Sequence, residues 1–386
     1  MDIAQFKDSP SGTLIPTISG QMAFVPNDLP PAIDYKELAV PLAQAMQAIG
    51  ELNAMGRGMT NPMLVIRPLQ RKEALLSSSM EGTYTTANAL ALAEANADSQ
   101  VDESTIEVRN YIRAFETADR MRHEIPISNR LIKETHRVLL SQVSGYRGAN
   151  KRPGEYKNQQ NFIGGTNRLI ENARFVPPPP AETEEAMAQL EKYINREDAG
   201  GTPTIIDAAL IHYQFETIHP FADGNGRVGR ILIPIYLMEA GVLARPMLYL
   251  SPAVEGRKDE YVDLMLEVSR DGNWTPWIKF FLEMVTQSCN AAFRTFAELD
   301  ALRQEFHQKI AKTRGSAKLT VISNELFITP VLSIPQAAEK LGVSYPAAKA
   351  LIERLVELGI LSELENTSNP KYYICWQVAD LSEGRG

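Results

Sequence analysis

Apolar residues recur along most of the chain at spacings of three and four, the repeat that lays one stripe along a helix. Leu38, Leu42, Ala45, Met46, Ile49 and Leu52 make the first such stripe, behind Asp34 and Glu37 at capping-box spacing. Pro41 inside that run predicts a helix start or a kink. A second helix is predicted from about Pro68 towards Met80, stopped by Gly82. A third follows Ser104 and Glu107, a possible box, with Ile106, Tyr111, Ile112, Phe115 and Ala118 on one face. Further helices are predicted near 128–142, 181–195, 203–218, 226–240 and 257–270, and a long one from about Trp277 past Phe306. The first thirty-odd residues, broken by Pro10, Pro16, Pro26, Pro30 and Pro31, read as an irregular arm. Strand-like sequence is confined to 147–167, where Gly, Pro and Asn separate short runs such as Asn161-Phe162-Ile163, and to the C-terminal end. The body is therefore expected to be mainly α.

From about Leu319 the pattern changes. A helix over Val321 to Phe327 is followed by Ser333 as a cap, Pro335 in the first turn and Gly342 as a stop. Ser344 then caps a helix with Ala347, Ala348, Leu351, Ile352, Leu355 and Leu358 on one side, ended by Gly359. Leu361 to Leu364 and Tyr372 to Val378 look like a terminal hairpin. Helix, short turn, helix and β-wing make a winged helix. The tract Val176-Pro177-Pro178-Pro179-Pro180 is a stiff connector.

Composition narrows the classes. The chain has 386 residues with 44% hydrophobic and 22% charged, which suits a large folded core and two or three domains. Its net charge of −8 gives no general grip on phosphate backbones or anionic lipid, so a polyanion needs a local site. Cys289 and Cys375 stand far apart, which excludes a disulfide scaffold or a zinc module and suggests a reducing compartment. The N-terminus lacks the basic and apolar regions of a signal peptide, and the most apolar stretch, Ile231 to Leu243, is too short to span a bilayer. A cytoplasmic protein without membrane contact is expected.

Candidate chemistry is concentrated in His219-Pro220-Phe221-Ala222-Asp223-Gly224-Asn225-Gly226-Arg227-Val228-Gly229-Arg230. Ile206, Ala209, Leu210 and Tyr213 form a helix face before it, and Val228, Ile231, Leu232 and Ile235 another after it, so the polar stretch is a loop joining two core helices. Gly224 and Gly226 let backbone N–H groups approach a ligand, and with the unpaired amides of the helix start they favour a diphosphate or triphosphate. Arg227 and Arg230, three apart, can reach the same anion. Asp223 offers a hard carboxylate suited to Mg²⁺, and His219 can take a proton from a hydroxyl near neutral pH. A capped loop with a satisfied histidine would explain neither the paired arginines nor Gly-Asn-Gly.

This segment resembles the signature of the Fic (Fido) family, His-Pro-Phe-x-Asp/Glu-Gly-Asn-Gly-Arg-x-x-Arg, at all nine constrained positions. The resemblance implies a helical core of Fic type over 101–312 with a small β-hairpin flap, an N-terminal arm and helical region over 1–100, and the winged helix over 313–386. The flap falls on 147–167, with Arg147-Gly148 and Pro153-Gly154-Glu155-Tyr156-Lys157-Asn158-Gln159-Gln160-Asn161-Phe162-Ile163-Gly164, and would dock a target protein by strand addition. Ala173-Arg174-Phe175-Val176 also resembles the family. Tyr156-Lys157 replaces its usual Phe-Arg. Gly256, before Arg257, replaces an asparagine that relatives often place near the nucleotide, so that contact is lost or made by backbone. The implied activity is that of a protein adenylyltransferase, moving AMP from ATP to a Ser, Thr or Tyr hydroxyl, on itself included. By position, His219 would be the general base and Asp223 would hold Mg²⁺. Gly224, Asn225, Gly226, Arg227, Val228, Gly229 and Arg230 would bind the nucleotide, with Arg227 on the β-phosphate region and Arg230 on the γ-phosphate.

Ser77-Ser78-Ser79-Met80-Glu81-Gly82 matches the family's inhibitory pattern, Ser/Thr-x-x-x-Glu-Gly/Asn, in the class with an N-terminal inhibitory helix. Ser77 and Glu81 lie one helical turn apart, and Gly82 is a natural stop. Glu81 paired with Arg230 would withdraw that arginine from the γ-phosphate and leave ATP in an unproductive pose. Taken alone, Glu81 reads as a solvated residue and Ser77 as a neutral one.

Removal of AMP, or transfer of another nucleotide, at the same site remains an alternative, as does a DNA-binding regulator. From Leu319 onward five basic residues face eight acidic ones, a net of −3. DNA readers normally show a basic face, so protein docking or a homodimer is favoured there over DNA. His123, His136, His212 and His307 fit no ligand pattern and read as structural or exposed. Trp274, Trp277, Phe280 and Phe281 read as core.

Overall fold

A computed structural model of the chain describes residues 1–95, 101–143, 151–165, 169–197, 201–313, 316–364 and 370–381. The chain opens with strands β1 (Gly12–Pro16) and β2 (Met22–Pro26). Helices α1 (Ala39–Gly58), α2 (Met63–Ser79), α3 (Ala87–Glu94), α4 (Glu103–Arg122) and α5 (Asn129–Leu139) follow. After a long connection come α6 (Pro180–Ile194), α7 (Thr204–Ile218), α8 (Asn225–Glu239), α9 (Ser251–Glu255), α10 (Lys258–Asp271) and α11 (Trp274–Ala311). The last stretch runs through α12 (Ser316–Ile328), β3 (Val331–Ser333), α13 (Ile334–Leu341), α14 (Tyr345–Glu357), β4 (Ser362–Glu363), β5 (Tyr372–Ile374) and α15 (Trp376–Leu381). The fold is mainly helical with two small antiparallel sheets. None of the described helices is long and apolar enough to cross a membrane.

Two compact units form, each from two stretches of chain: Met1–Asn53 with Arg113–Cys289, and Ala54–Ile112 with Asn290–Gly386. The first unit is centred on α7 and α8. Apolar patterning predicts one buried face on each helix, yet α7 buries every residue except Thr204 and Glu216, and α8 every residue except Gly226 and Glu239. Such all-round burial is what a central helix pair requires. Asp207, 1% exposed, ties three helices together by accepting from Tyr193 Oη at 2.6 Å and Arg196 Nη2 at 2.7 Å in the α6 region and from Tyr236 Oη at 3.4 Å on α8. A buried carboxylate is tolerable when it is paired in this way.

The N-terminal arm corrects the sequence reading. It is a hairpin with Gly12 opposite Pro26 and Pro16 opposite Met22. Its prolines sit at strand ends, where a missing N–H costs little, so they bound the strands rather than forbid them. Phe24 N–H donates to Val176 O at 2.9 Å, and Phe6, Phe24 and Phe175 cluster with Ile163 packed against them. The described part of the flap pairs outward, through a bridge between Ile163 and Phe175. Arg147 and Gly148 lie outside the described residues.

In the second unit, β3, β5 and β4 form one antiparallel sheet in that order, with α13 and α14 between β3 and β4. Ser333 and Gln336 make a full capping box on α13, and Gly342 ends it at φ 60°. The last predicted strand stops at Ile374, and Val378 lies in α15 instead. Two predicted boxes are not formed. Asp34 accepts from Lys36 N, well ahead of α1, so it closes a local turn. At α4, Asp102 accepts from Thr105 N at 2.9 Å in place of Ser104, while Glu107 accepts from Thr83 Oγ1. Aspartate outcompetes serine when each is in register, because its charged oxygen suits the helix's positive end.

Candidate active site

The loop between α7 and α8 begins at His219, the C-cap of α7, with φ 48° and ψ 60°. Its N–H donates to Phe215 O at 3.0 Å, and its Nδ1 lies 3.2 Å from Glu216 O. A carbonyl only accepts, so Nδ1 carries the proton and the lone pair of the neutral ring is on Nε2. That is the tautomer a base needs.

The loop is held from inside. Asn225, 2% exposed, accepts from Phe221 N–H at 2.8 Å through Oδ1 and donates to Phe221 O at 2.9 Å through Nδ2. This side chain, expected at the phosphate, spends both ends on closing the turn. Gly224 takes φ 78° as N-cap of α8, and an added Cβ would also crowd Leu139 at 3.3 Å. With glycine there, no capping side chain competes for the first-turn amides. Asp223 Oδ1 accepts from Gly224 N at 2.6 Å and stands 3.5 Å from Arg227 Nη2, and its side chain is 39% exposed. Arg227 and Arg230 are 3% and 6% exposed, cations buried in the first two turns of α8. Val228 and Gly229 are buried beside them, and Gly229 faces α7: a Cβ there would lie 2.3 Å from Glu216 Oε1.

Three residues with no expected role in the loop support it from elsewhere. His136 on α5 stacks on Phe221 (3.8 Å, 11°), donates from Nε2 to Asp223 O at 3.0 Å, and accepts Gly154 N–H at 2.9 Å on Nδ1. Burial holds it neutral, with its pKa lowered to about 4. Lys157 and Asn161 of the flap bond the backbone around His219. Burial lowers the Lys157 pKa to about 7. The sequence signal that could have found them is weak: a lysine and an asparagine four apart in a Gly- and Pro-rich segment.

The remaining candidates belong to α9 and to the end of α2. Gly256 is the exposed C-cap of α9 with open space about its Cβ position, so a side chain would fit and none is present. Ser77 is fully buried in α2, but the helix ends at Ser79. Glu81, expected in the last turn, is exposed in the turn beyond it, where Glu81 N donates to Ser78 O and Gly82 takes φ 81°. Among the described residues no cluster of three or more His, Cys, Asp or Glu could hold a metal. A single exposed carboxylate still fits Mg²⁺, which commonly takes one or two protein carboxylates with water and phosphates.

Residues 126–237 match the sequence model of the Fic/DOC family, and residues 40–120 match that of the Fic/DOC family N-terminal region. The protein adenylyltransferase Fic of Drosophila yakuba is 27% identical over 224 residues, 55% of this chain and 41% of that protein. That of Drosophila grimshawi is 27% identical over 250 residues, 62% of this chain and 45% of that protein. The chain thus spans less than half the length of these curated relatives. A Fic family protein from Desulfovibrio desulfuricans G20 superposes with a TM-score of 0.57 at 18% identity, over 90% of this chain and 98% of that one. A Fic domain containing signaling protein from Bacteroides thetaiotaomicron VPI-5482 gives 0.52 at 22% identity, over 65% of this chain and 95% of that one. At such identities these two structures speak to the fold alone.

Proposed function

The chain belongs to the Fic/DOC family, and we propose that it transfers AMP from ATP to a Ser, Thr or Tyr hydroxyl of a target protein, its own chain included. The carrying observation is His219: an imidazole with Nδ1–H tied to Glu216 O, six residues before a helix whose glycine start and buried Arg227 and Arg230 suit a triphosphate. In this reading the target oxygen attacks the α-phosphorus, its proton passes to His219 Nε2, and the bond to pyrophosphate breaks. Gly224 and Gly226 leave the first-turn amides open to the α-phosphate. Arg227 takes the β-phosphate region and Arg230 the γ-phosphate. Asn225 serves by fixing the turn. Mg²⁺ on Asp223 would neutralise phosphate charge. The flap supplies the docking edge for the target.

Autoinhibition by Glu81 is part of the same proposal, supported by the Ser77/Glu81/Gly82 pattern and its place ahead of the loop. Glu81→Gly is expected to raise transfer from α-labelled ATP by at least about tenfold, an assumed lower bound for freeing one phosphate ligand. His219→Ala should abolish transfer while ATP still binds. Transfer that survives in His219→Ala removes the base, and equal rates in wild type and Glu81→Gly remove the brake. The element order from α12 to β5 supports a winged helix, for which we favour a protein partner or a second copy over DNA. The buried, free thiols of Cys289 and Cys375 are compatible with a cytoplasmic setting.

A further inference from the structure

Two flap side chains grip the end of α7 that carries His219. Lys157 is 5% exposed, and its Nζ lies 3.1 Å from Ile218 O, 3.0 Å from His219 O and 2.8 Å from Asn161 Oδ1. Asn161 Oδ1 is the acceptor in this set because Nδ2 of the same side chain donates to His219 O at 2.9 Å and Phe221 O at 3.1 Å. Three oxygens that only accept take three protons, so the full set of bonds needs the ammonium form. It sits where the last carbonyls of a helix and its dipole favour a cation. The backbone adds a fourth link, Lys157 N–H to Pro220 O at 2.8 Å.

The His219 carbonyl therefore takes two donors, one from each flap side chain, while its N–H is bonded to Phe215 O. The residue so held has φ 48°, in the left-handed region that costs a non-glycine residue roughly 1–2 kcal/mol. Such a conformation persists only where its surroundings over-determine it, and such places cluster at functional sites. His136 repeats the arrangement, joining flap residue Gly154 to the carbonyl of Asp223.

We propose that Lys157 and Asn161 are positioning residues: by holding the His219 carbonyl they keep its backbone left-handed and its ring aimed, so that seating of the flap sets the competence of the base. This rests on the reading of His219 as general base. The flap then has a second task besides docking.

The test compares Lys157→Met, Asn161→Ala and Lys157→Arg in the full-length chain, all carrying Glu81→Gly. In Lys157→Met and Asn161→Ala, kcat is expected to fall at least about tenfold, with KM for ATP and directly titrated ATP affinity within about twofold of the parent. Lys157→Arg, which keeps a cation with several donors, should recover most of kcat. A second readout needs no turnover: in the ¹⁵N-labelled chain the His219 ring should show the Nδ1–H tautomer in the parent and lose that signature in Lys157→Met. Ring signals that move in a chain with no transfer activity would sink the transferase reading and leave the positioning intact. Parent-like kcat and ring signals in both loss variants overturn the positioning, as does a fall in ATP affinity that matches the fall in kcat. Should Lys157→Met not fold, Asn161→Ala decides, since it leaves the lysine in place.

Discussion

His212 sits in α7 with its ring stacked on Trp277 (6.2 Å, 19°) and its Nε2 2.7 Å from the Tyr261 hydroxyl. Burial, aided by the nearby Arg230 charge, lowers its pKa to about 3. In the unfolded chain the same ring returns to about 6.5. The unfolded state then binds one more proton between those values, so this contribution to stability is full above about 6.5 and drains away as pH falls towards about 3. Denaturant titrations across that window should show the loss, and His212→Gln should remove one proton's worth of slope. An unchanged slope in the variant would assign the effect to another group. Lys157 follows the same sign. Its folded pKa of about 7 lies below the usual 10.5, so the ammonium is retained below pH 7 at a cost to stability that fades as pH rises towards 10.5. A costly charge kept beside His219 fits a functional role better than a packing one.

At the level of elements, the α7–α8 pair depends on Gly229. An added Cβ would lie 2.3 Å from Glu216 Oε1 and 3.1 Å from the Phe215 ring, so Gly229→Ala must displace Glu216 or part the helices. We expect a loss of about 1–3 kcal/mol in unfolding free energy, together with weakened transfer because Glu216 O orients His219. Full stability in Gly229→Ala would show that the Glu216 carboxylate moves aside freely. Helices were legible in the sequence because a 3.6-residue apolar repeat over three or more turns has few other solutions. Their starts were less so: Asp34 and Glu37 have the spacing of a capping box, yet α1 begins only at Ala39, and Ser104 yields to Asp102. The strands of the arm escape the pattern because prolines at 16 and 26 read as breakers, while their places at strand ends depend on a register that spacing does not reveal. All-round burial of α7 and α8 likewise depends on neighbours that one helix cannot declare.

At the scale of the whole chain, what was legible in the site is what lies within one run of twelve residues, from His219 to Arg230. Its supports come from 58 to 87 residues away and act on backbone carbonyls, which carry no residue-type signature. The same kind of long-range tie organises the second unit, built from residues 54–112 and 290–386. Arg71 on α2, 3% exposed, pairs with Glu94 at 2.6 Å near the end of α3 and donates to Ile328 O at 2.5 Å at the C-terminus of α12. One guanidinium thus joins the two stretches, with its charge set against a carboxylate and the negative end of a helix. Glu94 is 17% exposed, so stranding it costs less than the about 3–5 kcal/mol of a fully buried pair. Arg71→Ala should therefore lower the thermal midpoint of the second unit and direct the first cuts of native-state proteolysis to 54–112 or 290–386. If the cuts instead fell first within 113–289, Arg71 would not be the tie that holds the two stretches together.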